Sequence, residues 1–410
     1  MDRRELLRAM VAAVGTTIAG AESARANAFR AGQAPAKSPA GGAQAGGAGK
    51  AARPQRVTLA EFEPLAQRRI SRMAFEYIAG GGADEITLRR NRAAFDDLRL
   101  KPRVLKDVSR LDTRLHLLGH QLDFPVLLAP AAYHKLVHPR GELATAEGAS
   151  AARALMVLSS FATTAVEDVA RAARSPWWFQ LYSMPDRAFT KDLIQRAEAA
   201  AATAVVITVD TPVLPTRDRE TRSSFALPPG MAIENLRPLL ERNKRLDTSH
   251  RGKGGGIYSD VLNPQFTWET VAWVRSFAKV PVLLKGLVAP EDARIAAEHE
   301  VDGIIVSNHG GRNLDTSPAT IEALPRINEA VLGRLPILMD GGVRRGTDVV
   351  KALALGAQAV LIGRPYLWAL GVDGAAGIQR VCEILRTELE AAMALCGVTS
   401  LDAIDRRVLW

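Results

Sequence analysis

The chain has 410 residues, 47% of them apolar and 24% charged, with 33 Gly and 22 Pro; these values exclude a wholly disordered, collagenous or coiled-coil protein. Its only cysteines, Cys382 and Cys396, are too few for a disulfide-stapled scaffold. The net charge is +9, but residues 1–56 hold nine Lys and Arg against three acids, so the folded body gives little support for a nucleic-acid partner.

Residues 1–26 read as an export signal. Asp2 to Arg8 is charged, Ala9 to Ala21 is short and mildly apolar, and Ala24-Arg25-Ala26 supplies an A-x-A cleavage site. Adjacent Arg3-Arg4 ahead of Leu6-Leu7 resembles a twin-arginine signal, a route that exports folded proteins. The periplasm is therefore the expected location, or the cytoplasm if the leader does not work. A bilayer span takes about 20 apolar residues, so this stretch is too short and stable membrane insertion is not expected. Residues 27–56 are rich in Ala, Gly, Pro and Gln and read as a flexible linker, since they have too few large apolar side chains to offset their ordering entropy.

Residues 57–410 form the body. Leu59, Phe62, Leu65, Ile70, Met73 and Tyr77 recur at helical spacing and predict an N-terminal helical segment over 58–77. Eight short β-rich runs follow, at 125–128, 156–159, 177–181, 204–209, 282–285, 303–306, 337–339 and 359–362. Amphipathic stretches separate most of them, at 141–154, 165–173, 188–201, 289–298, 321–331 and 347–355. Parallel strands need crossover helices, and eight such repeats favour an α/β fold closed into a (β/α)8 TIM barrel over an open doubly wound sheet. The connection 213–265, after the fourth strand, is far longer than the others and rich in Gly and charge, which predicts a lid or a disordered loop.

Chemistry in such a barrel collects where the strands end. Those ends carry Pro130, Ala131 and Ala132; Ser159; Gln180 and Tyr182; Thr208 and Asp210; Lys285; Ser307 and His309; Asp340 to Arg344; and Gly363 with Arg364. Gly341-Gly342-Val343-Arg344 and Gly363-Arg364 offer unhindered backbone N–H groups and cations in the last two loops, the usual phosphate position. His309 is the best candidate base, Asp210 is available to stabilise its imidazolium, and Arg217 with Arg312 is suited to clamp a carboxylate. His134 and His138 are four apart, but Pro139 follows and no Cys or acid accompanies them in sequence, so no metal site is expected. Redox chemistry at this site needs a cofactor, because no side chain accepts a hydride. No Gly-x-Gly-x-x-Gly follows the first strand, whereas FMN, with one phosphate, fits the last two loops. Lys285 is then placed to stabilise negative charge on the reduced ring, with Ser159, Gln180, Thr208 and the backbone after Pro130 along its polar edge.

Ser307-Asn308-His309-Gly310-Gly311-Arg312 and Asp340-Gly341-Gly342-Val343-Arg344-Arg345-Gly346-Thr347-Asp348 resemble the FMN-dependent α-hydroxy-acid oxidase/dehydrogenase family, and the likeness runs from about 57 to 405. The resemblance implies FMN on Pro130, Ala131, Ala132, Ser159, Gln180, Thr208, Lys285, Ser307, the 340–344 loop (Asp340, Gly341, Gly342, Val343, Arg344), Gly363 and Arg364. It implies His309 as base with Asp210 orienting it, Arg217, Arg312 and Tyr77 on the substrate carboxylate, and Tyr182 at the substrate hydroxyl. The implied reaction turns a lactate-like 2-hydroxy acid into a 2-oxo acid. Either O2, giving H2O2, or a quinone or protein takes the electrons, and the subunits assemble as tetramers or larger. A flavin-binding protein without turnover is the alternative from another class. Two departures stand out. Asn313 replaces a common Gln, and Phe161 stands where some members carry a substrate-touching Trp, which weakens an assignment to glycolate.

Overall fold

A computed structural model describes residues 56–246 and 256–410. The predicted export signal (1–26) and nearly all of the predicted linker (27–56) lie outside the described residues. Arg56, the last residue assigned to the linker, is described; its Nη1 lies 2.8 Å from Asp373 Oδ2 and its carbonyl accepts from Arg380.

Eight parallel strands close into a barrel. They are β3 (Val126–Leu128), β4 (Met156–Ser159), β5 (Trp177–Leu181), β6 (Val205–Thr208), β7 (Val282–Leu287), β8 (Gly303–Val306), β9 (Ile337–Asp340) and β10 (Ala359–Ile362), and β10 pairs with β3. The eight predicted runs match these strands to within two residues at either end. Two further strands, β1 (Leu115–Leu117) and β2 (His120–Leu122), were not expected. They form an antiparallel hairpin whose Leu117 and Leu122 join Leu127, Val157, Trp178, Val206, Leu283, Ile305, Leu338 and Leu361 in a separate buried cluster inside the barrel.

Side chains alternate faces along a strand, so the residue two places after an interior apolar one points inward at the next level. Val157 is followed in this way by Ser159, Trp178 by Gln180, Val206 by Thr208, Leu283 by Lys285, Ile305 by Ser307 and Leu338 by Asp340. One period-2 pattern therefore builds both the dry core and the polar mouth above it.

The expected helix over 58–77 is broken. Short helices Phe62–Gln67 and Arg72–Ala79 replace it, because Ser71 adopts an extended backbone and its Oγ caps Ala74 N at 3.2 Å. The helix Ile86–Asp96, which the periodicity did not predict, lies against the mouth of the barrel and sends Asn91 and Arg92 toward the cavity. The long connection after β6 is not wholly irregular; it contains the helices Asp218–Arg222 and Arg237–Arg242. Cys382 and Cys396 are buried as free thiols in the final helix, Arg364–Cys396.

Candidate active site

The strand ends surround a cavity of about 190 Å³. Its wall includes Tyr77, Pro130, Ala131, Ala132, Ser159, Gln180, Tyr182, Thr208, Arg217, Lys285, His309, Arg312, the 340–344 loop, Gly363 and Arg364. Two expected residues stand behind that wall. Asp210 is covered by His309, and Ser307 is fully buried, where its Oγ accepts from Lys285 Nζ at 2.9 Å and from His309 N at 3.1 Å. Ser307 thus braces the site and does not line it.

His309 follows β8 in a run of left-handed residues, with φ of 57° at His309, 66° at Gly310 and 73° at Gly311. A non-glycine residue there costs about 1–3 kcal/mol, a cost often found where function fixes a side chain's direction. His309 Nδ1 lies 2.9 Å from Asp210 Oδ1. An ionised carboxylate only accepts, so Nδ1 carries the hydrogen and Nε2 presents its lone pair, 3.3 Å from the Tyr182 hydroxyl. Gly286 makes room for this pairing, since a Cβ on it would stand 2.6 Å from Asp210 Cβ. Thr211 Oγ1 donates to Asp210 Oδ1 at 3.0 Å. Asn313 Nδ2 holds both Asp210 O and Thr211 Oγ1 at 2.8 Å, so Asn313 buttresses the pair from outside the cavity wall.

Burial pushes the His309 imidazole below its usual pKa, and the facing Asp210 carboxylate reverses only part of this. Burial by itself would raise Asp210; the His309 charge and hydrogen bond, then Lys285, hold it below the usual carboxylate range. Burial raises the phenols of Tyr182 and Tyr77, so both stay protonated donors at neutral pH.

Arg312 and Arg217 meet beside this pair. Arg312 Nη1 donates to Tyr77 O at 2.6 Å and Gly80 O at 2.8 Å, and its guanidinium lies 4.9 Å from the Tyr77 ring centroid. Arg217 Nε donates to Arg312 O at 3.0 Å. Glu220, which the sequence analysis did not single out, joins the pair: its Oε1 accepts from Arg312 Nη2 at 2.6 Å and from Arg217 Nη1 at 3.2 Å. The i, i+3 spacing of Arg217 and Glu220 on a short helix was the available signal for it.

A second pair of cations lines the cavity: Arg364 donates to Ile78 O, Gly310 O and Gly80 O, the last shared with Arg312, and Arg344 to Val343 O, all at 2.8 Å. Neither arginine has a carboxylate within ion-pair distance among the described residues. Burial lowers both guanidinium pKa values, and in Arg364 the neighbouring Arg312 and Arg344 lower it further. Arg92, missed in the sequence, reaches Gly342 O at 2.9 Å and Asp348 Oδ2 at 2.5 Å, fixing the turn that presents Arg344. Asn91 and Asn308 exchange two amide hydrogen bonds of 2.8 Å and tie the same N-terminal helix to the His309 loop.

A polar ladder lines the same cavity. Ser159 Oγ donates to Gln180 Oε1 at 3.0 Å, Gln180 Nε2 donates to Thr208 Oγ1 at 2.9 Å, and Lys285 Nζ pairs with Asp340 Oδ2 at 3.1 Å. Asp340 Oδ1 is buried with no protein hydrogen-bond partner among the described residues. A Cβ on Gly363 would meet only Ala129 Cβ, at 4.0 Å, so that face of the loop opens on the cavity. Two arginines without a counter-ion, an unpartnered buried oxygen and a bare glycine face fit a polar ligand ending in a phosphate, as FMN does.

His134 does not join this site. It is buried, with Nδ1 2.9 Å from Thr145 Oγ1, and Glu142, an acidic neighbour missed in the sequence, accepts from its backbone N at 3.1 Å.

A family model described as FMN-dependent dehydrogenase matches residues 66–410. The chain is 45% identical to an L-lactate oxidase of Nostoc sp. over 360 residues, covering 86% of this chain and 98% of the relative. It is 45% identical to glycolate oxidase 3 of Oryza sativa subsp. indica over 350 residues, covering 85% and 95%. The crystal structure of a mandelate oxidase with (S)-2-phenylpropionate superposes with a TM-score of 0.78 at 38% identity, covering 87% of this chain and 98% of that one. The barrel, the cavity and these likenesses agree, and the chain belongs to the FMN-dependent dehydrogenase family.

Proposed function

We propose that this enzyme oxidises a lactate-like 2-hydroxy acid to the 2-oxo acid and passes the electrons to O2, giving H2O2. The observation that carries the reading is the His309–Asp210 pair at 2.9 Å, with the arginine pair beside it in one cavity. The oxidase names of the relatives support the choice of acceptor.

Arg217 and Arg312 bind the substrate carboxylate, and Tyr77 packs under Arg312 to keep its plane fixed. The Tyr182 hydroxyl, next to His309 Nε2, orients the substrate oxygen. His309 Nε2 takes a proton from the substrate, and ionised Asp210 stabilises the imidazolium that results. Bound FMN supplies the two-electron acceptor that no side chain provides. Arg344, Arg364 and the Gly363 turn hold its phosphate, and Ser159, Gln180, Thr208 and the backbone of Pro130 to Ala132 hold its polar edge. Lys285 stabilises negative charge there. Phe161, Leu214 and Leu262 give the substrate side chain an apolar wall.

The test is a stopped-flow panel of 2-hydroxy acids with and without oxygen. Lactate should bleach the flavin under nitrogen and, in air, consume O2 with formation of peroxide. Bleaching without O2 consumption would move the acceptor to a quinone or a protein. No bleaching by any 2-hydroxy acid would leave only a flavin-binding protein. The proposal further assigns residues 1–26 to export into the periplasm and the subunits to tetramers or larger. Fractionation of cells expressing the full chain, with Arg3 and Arg4 changed to Lys, tests the first, and light scattering tests the second.

A further inference from the structure

Thr211 stands on the cavity wall directly after Asp210, and the mechanism above gives it no task. Its hydroxyl is nonetheless held in one direction. Arg217 Nη2 donates to Asn313 Oδ1 at 3.4 Å, and a guanidinium can only donate. The Asn313 amide is fixed from its other side as well, because Nδ2 lies 2.8 Å from the carbonyl Asp210 O, which can only accept. That orientation makes Nδ2 the donor to Thr211 Oγ1, also at 2.8 Å. The single hydroxyl hydrogen of Thr211 must then go elsewhere. His309 Nδ1, at 3.4 Å, already carries a hydrogen and cannot accept it, and Asp210 Oδ1 receives it at 3.0 Å.

The oxygen that receives it matters. Asp210 Oδ1 is the same atom that accepts from His309 Nδ1, at 2.9 Å. Asp210 Oδ2 is buried with no protein hydrogen-bond partner among the described residues. The two donors therefore share the charge of one oxygen. Burial alone would raise the Asp210 carboxyl, and the His309 charge, Lys285 and the Thr211 hydroxyl in turn pull it down. A less basic carboxylate stabilises the imidazolium less.

We propose that Thr211 is a positioning residue that acts through Asp210: its hydroxyl, aimed by Asn313, draws off part of the carboxylate's charge and keeps the His309 Nε2 lone pair free to take a proton. This rests on the reading of His309 as the base, and it deepens that reading by naming the group that sets the base's strength.

The charged and titratable groups facing His309 come from several elements. They are Asp210 after β6, Lys285 on β7, Tyr182 after β5, and Arg217 ahead of the helix Asp218–Arg222. Lys285 is paired with Asp340, Tyr182 also faces Tyr77 and Arg312, and Glu220 stands against both arginines. Thr211→Val replaces the hydroxyl with a methyl of similar size and changes none of these charges. A displaced titration of His309 in that variant therefore reports the hydrogen bond.

The experiment reads protonation directly. The FMN-loaded full chain, labelled with carbon-13 at histidine Cε1, is titrated by NMR without substrate, and the signal missing from His309→Ala identifies His309. Thr211→Val should move the midpoint toward alkali by about 0.5 pH units or more, the scale of one lost hydrogen bond to a neighbouring carboxylate. The acid limb of flavin reduction per unit of lactate should move the same way. Thr211→Ser keeps the hydroxyl and should stay with wild type. Thr211→Ala repeats the deletion with less bulk in case the Val variant fails to hold FMN.

A midpoint that stays in place or moves toward acid in the variants without a hydroxyl overturns the proposal, as does a Ser variant that moves as far as Val. A slower reaction with an unmoved midpoint is a purely structural effect and overturns it too. Failure of lactate to bleach the flavin would overturn the underlying function instead. The midpoint is read without turnover, so the two failures are separately visible.

Discussion

The cavity holds two pairs of buried cations, which meet at Gly80 O, the shared acceptor of Arg312 and Arg364, and the two pairs are prepared differently. In the first pair, Arg217 and Arg312 share Glu220, at 3.2 and 2.6 Å. In the second pair, Arg344 and Arg364 meet only carbonyl oxygens among the described residues. A carbonyl orients a guanidinium and leaves its charge intact, whereas a carboxylate orients it and cancels it. The first pair is therefore partly neutralised before a ligand arrives, and the second keeps its charge for an anion such as a phosphate monoester. One cavity can then hold cofactor and substrate without either taking the other's place.

If that division is real, the two pairs fail separately. The largest effect belongs to His309→Ala. Flavin reduction by lactate should fall at least ~10²-fold, the low end for losing a general base, while FMN stays bound. Loss of the yellow colour in that variant would break the division. Next comes Arg344→Ala. A charge-assisted hydrogen bond contributes about 1.5–3 kcal/mol, so FMN should bind ~10- to 100-fold more weakly by fluorescence titration. With FMN saturating, the lactate KM should stay near wild type; a raised KM would show the pairs to be coupled. Arg312→Lys should raise the lactate KM by about 10-fold and change kcat less, because a point charge replaces a planar fork. Its FMN affinity should not move.

The smallest effect is a shift in pH dependence. His309 must be neutral to act as base, and burial holds its pKa below 6.5. Flavin reduction per unit of lactate should therefore rise with pH along an acid limb whose midpoint lies below 6.5. Asp210 favours the imidazolium, so Asp210→Asn makes His309 harder to protonate and moves that limb further to acid, with a lower plateau. A limb that moves toward alkali would remove Asp210 from its pairing.

Much of the site was legible because barrel geometry is periodic. Lys285, Asp340, Thr208, Gln180 and Ser159 each follow an interior apolar residue by two places, so reading where each run stops was enough to find them. Ser307 obeys the same rule, yet the left-handed backbone at His309 carries the chain back over it. It ended behind the wall, a turn that no period predicts. Phe161 was found as a departure from the family pattern, and its place on the wall follows from the end of β4.

The N-terminal segment was the least legible part. Its apolar spacing continued through Ser71, and only the cap formed there divides the helix. Asn91 and Arg92 look like ordinary surface polar residues in sequence. Their partners, Asn308, Asp348 and Gly342 O, lie 217 to 256 positions away.

The sequence by itself determined the barrel, the order of its strands and the residues at their mouths. Those follow from alternation and turn chemistry, which act over two to four residues of chain. Tertiary structure alone decided which charges cancel. Glu220 reaches Arg312 across 92 positions and Tyr77 O reaches it across 235, contacts that exist only once the barrel has closed and the N-terminal helices have packed over its mouth. Electrostatic pairing depends on distance through space, and a linear pattern does not contain that distance.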